Sequence, residues 1–370
     1  MIKSTILTRN EIQNLAVYVP GKPIEEVQRE LGLEKVIKLA SNENPFGCSP
    51  LAYEAMKEEL SQMPFYPESM APKLAERLSE KLHIEKDHFI FGNGSDEIIR
   101  LLTRSYIRHE DEVIMADVTF PRYETNVIIE GGKPVKVPLQ EGVHHLEGMI
   151  AAITDKTRMI FVCNPNNPTG TIVSKEELQS FIERVPPHIL LVLDEAYYEY
   201  VSAKDRLDTV ALLKHYHNLI LLRTFSKIYG LAASRIGYGM MHPRIVAELV
   251  KVKEPFNTNR IAQAGAYASL ADDAFVQTCV DRNRKGLTYI AEQVKQLGLN
   301  YFPSHANFLM IHLDHPGDEV FSGLLKQGVI IRSGSLLGYP NTIRVTIGTQ
   351  AENEVFIQAL QTVLGKKGSL

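Results

Sequence analysis

RMIFVC at 158–163, ILLVLD at 189–194 and LILLRT at 219–224 decide the fold of this chain. Each is a short apolar run of strand length that ends in polar residues. Working outward, HFIFG (88–92), EVIMA (112–116), KPVKVPL (133–139) and RIGYGM (235–240) extend the series, and polar, helix-patterned stretches separate one run from the next. That alternation predicts an α/β fold, a mostly parallel seven-stranded sheet wound with helices over residues 41–256.

The texture changes after residue 256. EPFNTNRIAQAGA opens a helical region, and Leu287, Ile290, Ala291, Val294 and Leu297 follow the i, i+3, i+4, i+7 rule of an amphipathic helix. FLMIHL (308–313), GVIIRSG (328–334) and TIRVTIG (342–348) are expected strands, and a last helix carries Val355, Phe356, Ala359, Leu360, Val363 and Leu364 on one face. Residues 257–370 are therefore expected to form a smaller α+β domain. Residues 1–40, broken by Pro20, Gly21 and Pro23, are expected to form an arm joining it and leading to the SNENPFG turn at 41–47.

A length of 370 residues suits two domains. Forty Lys+Arg against forty-four Asp+Glu leave no broad basic field for a nucleic-acid backbone, so nucleic acid is not an expected partner. Cys48, Cys163 and Cys279 are odd in number and far apart, which argues against a disulfide framework or structural zinc. The first twenty residues lack the pattern of a signal peptide, and no stretch reaches the 18 or so apolar residues of a membrane span. The expectation is a soluble cytoplasmic protein with no membrane partner.

In open parallel sheets ligands collect beyond the carboxyl ends of the strands. Four polar groups fall there: Gly92-Asn93-Gly94-Ser95-Asp96-Glu97, Asn164-Pro165-Asn166-Asn167-Pro168-Thr169-Gly170, Asp194-Glu195-Ala196-Tyr197 and Thr224-Phe225-Ser226-Lys227, with Arg235 eight residues later. Each has a bland reading. The glycine-rich turn either holds a phosphate at a helix start or is a plain turn with Ser95 as helix cap. The asparagine loop is good turn chemistry, Asp194-Glu195 suits a metal site or a solvated strand end, and Lys227 alone suits the surface. The histidines at 83, 88, 109, 144, 145, 215 and 217 show no helical metal-ligand pattern and read as surface or capping residues.

Together, Asn167, Asp194, Tyr197, Lys227 and Arg235 place an amide, a carboxylate, a phenol, an amine and a guanidinium around one sheet edge. Pyridoxal phosphate chemistry requires such a set: an amine for a Schiff base, a carboxylate to keep the ring nitrogen protonated, and hydrogen bonds to the phenolic oxygen.

At these residues the chain resembles the fold-type I pyridoxal-phosphate aminotransferases, and within them the histidinol-phosphate aminotransferases. The likeness covers nearly the whole chain. It rests on KLASNENPFG (38–47), FYPE (65–68), FGNGSDEI (91–98), FVCNPNNPTG (161–170), LDEAYYEY (193–200), RTFSKIYGLAASRIGY (223–238) and IRVTIG (343–348). The resemblance implies that Lys227 is the Schiff-base lysine, that Asp194 partners the pyridine nitrogen, and that Asn167 and Tyr197 partner the phenolic oxygen. It implies a phosphate cup of Ser95, Asp96, Thr224, Ser226 and Arg235, with Phe120 stacked on the ring where many relatives have tyrosine. Tyr66 of FYPE would enter the neighbouring subunit's site, which implies a homodimer; its other reading is an ordinary half-buried tyrosine. Arg344 matches the family's α-carboxylate arginine, Arg332 on the preceding expected strand would share the anion or else be a surface strand residue, and Tyr18 of the arm would touch a phosphate.

The implied reaction moves an amino group between L-histidinol phosphate and 2-oxoglutarate, with glutamate as the other amine, in histidine biosynthesis. Aromatic amino-acid aminotransferases and phosphothreonine-type decarboxylases share these motifs. A pyridoxal-phosphate-binding regulator would carry a separate DNA-binding module, for which about forty arm residues leave no room.

Overall fold

The computed structural model describes residues 8–17 and 21–365. In chain order its strands are β1 (Ile37–Lys38), β2 (Phe89–Gly92), β3 (Glu112–Ala116), β4 (Lys133–Val137), β5 (Thr157–Cys163), β6 (Leu190–Asp194), β7 (Leu219–Thr224) and β8 (Gly237–Met241), followed by β9 (Phe308–His312), β10 (Val329–Ile330), β11 (Arg332–Ser333) and β12 (Thr342–Thr346). The main sheet has the order β2-β8-β7-β6-β5-β3-β4, and only β8 runs antiparallel to its neighbours. The fold is α/β with a mostly parallel seven-stranded sheet, as its apolar runs foretold.

Side chains on a strand alternate between faces. Leu191, Leu193, Leu219 and Leu221 enter one core with Leu178, Phe181 and Ile182; Val192, Ile220 and Leu222 enter the other with Ile98, Leu102, Val127 and Leu249. This two-sided burial explains why the strands read as unbroken apolar runs. The same alternation sends Asp194 and Glu195 to opposite faces. Glu195 pairs with Arg223 at 2.9 Å and accepts from Thr209 Oγ1 at 2.6 Å, so it is neither solvated nor beside Asp194's partners.

A second sheet, ordered β11-β12-β9, is antiparallel, and β1 pairs in parallel with β10 alongside it. Its core includes Leu309, Ile311, Ile343, Val345, Phe356 and Leu360, the last two from helix Gln350–Val363. Thr349 and Glu352 form a reciprocal capping box at the start of that helix, an arrangement that contributes about 1 kcal/mol.

Two expectations need correcting here. GVIIRSG is not one strand: it divides at Ile331, giving β10 to the arm strand β1 and β11 to β12. The change of texture at 257 is also not a change of core. Helix Arg260–Ser269 lays Ala262 and Ala266 into the large core beside Ala52 of helix Pro50–Glu59, and the large core continues to Cys279. The long helix Asp273–Gln296 then delivers Ile290 and Val294 to the small core. Among the described residues, no helix is long and apolar enough to cross a membrane.

Candidate active site

A cleft of about 860 Å³ opens at the carboxyl ends of the central strands and is shared with the second sheet. The chain turns there because each strand runs out of apolar residues: β2 ends at Gly92, β5 at Cys163, β6 at Asp194 and β7 at Thr224. From the main sheet the cleft collects Ser95, Asp96, Phe120, Asn167, Asp194, Tyr197, Thr224, Ser226, Lys227 and Arg235, and from the second sheet Arg332 and Arg344. Tyr66 is not among them. It lies 78 % exposed on the outer surface, stacked on Phe256 with 4.8 Å between ring centres. Tyr18 lies outside the described residues.

Asp194 is buried. Its Oδ2 accepts from Tyr123 Oη at 2.7 Å and its Oδ1 from the Ala196 N–H at 3.1 Å. Burial pushes its pKa up to about 6, against the pull of those two donors. A carboxylate held at such a cost suits a cationic partner in the cleft. Lys227 is the converse case: burial, aided by the positive charge of Arg344, pulls its amine down to about 8, and Nζ donates to the Ser41 carbonyl at 3.2 Å. The downward shift enlarges the unprotonated, nucleophilic share of this amine near neutral pH.

The anion end is built from backbone and guanidinium. Helix Ser95–Tyr106 begins without a side-chain cap; its N-cap is Gly94 at φ 74°, so Ser95 is the first helical residue and not the cap. Gly94 packs directly against the Arg235 guanidinium, and its φ of 74° lies in the left-handed region that glycine adopts without strain. Arg235 is itself held at φ 56° and donates to Ser226 Oγ at 3.4 Å and the Asn93 carbonyl at 3.3 Å. Burial raises the Asp96 carboxyl, while Arg235, Arg122 and Lys227 act in the opposite sense. A helix start facing a guanidinium suits a phosphate. With the amine and the carboxylate in the same cavity, the residues present fit pyridoxal phosphate.

Opposite this floor, Arg332 and Arg344 are direct partners in the antiparallel β11–β12 pair, both buried. Like charges placed opposite one another destabilise a sheet, so this pair suits an anion between or beside its guanidiniums. Arg344 Nη1 donates to Asn167 Oδ1 at 2.5 Å and Nη2 to the Ala40 carbonyl at 2.9 Å, which ties the second sheet to the asparagine loop. A neighbouring cavity lined by Leu15, Val17, Thr119, Leu336 and Leu337 shares Phe120, Asn167 and both arginines with the cleft.

Three side chains about the site were not foreseen. Tyr123 stands three residues after Phe120 in VTFPRY, and its bond to Asp194 was hidden because the two are 71 positions apart. Asn42, inside the quoted SNENPFG turn, donates to Tyr197 Oη at 2.9 Å. His144 is buried, not on the surface; its Nε2 pairs with the Cys163 carbonyl at 2.9 Å, and burial takes its pKa down to about 4.

The family model for aminotransferase class I and II matches residues 34–360. The histidinol-phosphate aminotransferase of Anoxybacillus flavithermus is 48% identical over 359 residues, covering 97% of each chain. That of Bacillus subtilis strain 168 is 46% identical over 96% of this chain and 99% of its own. The crystal structure of histidinol-phosphate aminotransferase from Sinorhizobium meliloti, in complex with pyridoxal-5'-phosphate, superposes with a TM-score of 0.90 at 26% identity, covering 98% of this chain and 99% of that one.

Proposed function

This chain belongs to the class I and II aminotransferases, and we propose that it is a histidinol-phosphate transaminase, exchanging an amino group between L-histidinol phosphate and 2-oxoglutarate in histidine biosynthesis. Its cofactor is pyridoxal 5'-phosphate. The observation that carries the reading is the presence, in one cleft, of the half-buried Lys227 amine, the buried Asp194 carboxylate and the opposed pair Arg332–Arg344.

When bound, pyridoxal phosphate supplies an electron sink for the charge left on the substrate carbon as its proton departs. Lys227 carries the cofactor at rest and moves that proton. Asp194, fixed by Tyr123 and the Ala196 N–H, holds a proton on the ring nitrogen. Asn42 donates to Tyr197 Oη, which leaves the phenol's own hydrogen available, so Tyr197 and the Asn167 amide would be the donors to the ring's phenolic oxygen. Ser95, Asp96, Thr224, Ser226 and Arg235 would hold the phosphate, with the backbone N–H groups of the helix start and the Arg235 guanidinium as donors, and Phe120 would offer its ring face to the cofactor. Arg344 and Arg332 take the α-carboxylate of glutamate in one half-reaction and the phosphate of histidinol phosphate in the other.

The same reading makes the enzyme a cytoplasmic homodimer in which Tyr66 completes the partner's site. It keeps the division into an arm (1–40), a large domain (41–256) and a small domain (257–370), with the packing of residues 260–279 on the large core as noted. Mixing the holoenzyme with histidinol phosphate, and separately with tyrosine or phenylalanine, and following cofactor absorbance tests the choice of amine. Rapid conversion by histidinol phosphate alone is expected; faster conversion by the aromatic amino acids would make it an aromatic aminotransferase, and carbon dioxide release from phosphothreonine a decarboxylase.

A further inference from the structure

Away from the cleft, four arginines line a second concavity of about 870 Å³: Arg9 of the arm, Arg100 and Arg104 of helix Ser95–Tyr106, and Arg122 of helix Arg122–Ile129, with Asn126 and Glu130. Arg104 lies in the last turn of its helix, where the macrodipole favours a cation, but two other features of the placement are unfavourable. Arg100 and Arg104 are four apart on one helix, a like-charge spacing that is unfavourable. Arg122 is the first residue of its helix, where the macrodipole opposes a cation. Two of the four have carboxylate partners, Arg9 with Glu11 at 3.5 Å and Arg100 with Glu97 at 3.3 Å. Arg104 and Arg122 have none within ion-pair distance among the described residues. The guanidinium fork matches phosphate oxygens through paired hydrogen bonds.

The position of Arg9 gives such a site a consequence. Arg9 Nη2 donates to the Ile129 carbonyl, capping helix Arg122–Ile129 and fastening the arm to it. Five residues on, the same arm contributes Asn14, Leu15, Ala16 and Val17 to the cavity beside the cleft. An anion held between Arg9 and the two helices therefore fixes the arm in the position that walls this cavity.

We propose that Arg9, Arg100, Arg104 and Arg122 form a binding site for a multiply charged phosphate anion, free or esterified, which latches the arm over the cavity beside the cleft, where the part of the substrate beyond Arg332 and Arg344 would lie. Because binding and closure are linked, the anion raises affinity for the substrate that fills the cavity, and the substrate raises affinity for the anion by the same factor. The binding part of the proposal does not depend on which amine the enzyme takes.

The test is calorimetric titration of the holoenzyme with pyrophosphate, with inorganic phosphate as a second arm and chloride at matched ionic strength as the control. The expected result is a pyrophosphate site additional to any at the Arg332–Arg344 pair, with its affinity reduced roughly tenfold or more in Arg100→Gln/Arg104→Gln, whose thermal unfolding and anion-free kcat match the wild type while binding at the cleft is unchanged. Pyrophosphate should lower the KM for the amine in the wild type and not in the double variant. Arg104→Glu is the second variant, should the double one fold poorly, and should abolish the site. Phosphate binding as tightly as pyrophosphate would assign the site to single phosphoryl groups; weaker phosphate binding would assign it to diphosphates. Binding no stronger than the chloride control overturns the proposal, as does binding that the variants leave intact or that only raises KM, since both place the anion in the catalytic cleft.

Discussion

Asp194 and Lys227 carry opposite charges, and burial works against both. Asp194 has a folded pKa of about 6 against an ordinary 3.8, so between those values the native state binds the extra proton. Its contribution to stability is present below the ordinary value and is lost as pH rises through 6. Stripped of cofactor, the wild type should therefore lose about 1 kcal/mol of stability between pH 5 and 7.5 relative to Asp194→Asn, which cannot titrate. Urea melts at the two pH values measure this, and parallel curves would remove the buried carboxylate from the account. In the holoenzyme the same substitution should slow turnover by on the order of several kcal/mol in barrier, because the charge that holds the ring nitrogen's proton is gone. For Lys227, borohydride treatment of the holoenzyme should fix the cofactor to this residue alone, and Lys227→Ala should bind cofactor without a reducible link; peptide mapping that finds another lysine would reassign the amine.

At the scale of elements, the main sheet was legible because each parallel strand is buried on both faces and so shows as an apolar run with polar residues at the ligand-binding end. The division at Ile331 was not legible. Neither glycine nor proline marks it, and it is imposed by two partners, Ile37–Lys38 and Arg344, that lie far from it in sequence or on another strand. Helix Arg260–Ser269 likewise gives no local sign of its partner, since Ala262, Gly265 and Ala266 suit close packing against any helix. Twelve of the fourteen foreseen site residues lie in the cleft: nine are at strand ends or in the turns and helix starts that follow them, Arg235 stands just before β8, and Arg332 and Arg344 sit on the paired strands β11 and β12. Tyr123 and Asn42, which act through other side chains, had no strand end to announce them. The pairing of Arg332 with Arg344 sharpens one expectation. Arg344, tied to Asn167 and Ala40, should weaken both half-reactions when changed to alanine, whereas Arg332→Ala should raise the KM for histidinol phosphate more than that for glutamate, because a doubly charged phosphate gains more from a second guanidinium. Equal losses for the two substrates would end that division of labour.

The whole molecule presents Met63, Phe65 and Tyr66 to solvent as large exposed apolar side chains on a segment that contributes nothing to its own cleft. Such a surface is suited to a partner, and a second copy of the chain is the partner the proposal names. Subunits bearing Tyr66→Phe and subunits bearing Lys227→Ala should each be impaired, and verified heterodimers of the two should recover one intact site; no recovery would return Tyr66 to its own subunit. The central claim is that this cleft transfers the amino group of histidinol phosphate by way of Lys227. It is tested most directly by the stoichiometry of glutamate formed from 2-oxoglutarate per histidinol phosphate consumed, in the wild type and in Lys227→Ala. One glutamate per amine is expected in the wild type and a loss of turnover by orders of magnitude in the variant; glutamate formation that survives in Lys227→Ala, or consumption of histidinol phosphate without glutamate, would overturn that role for Lys227.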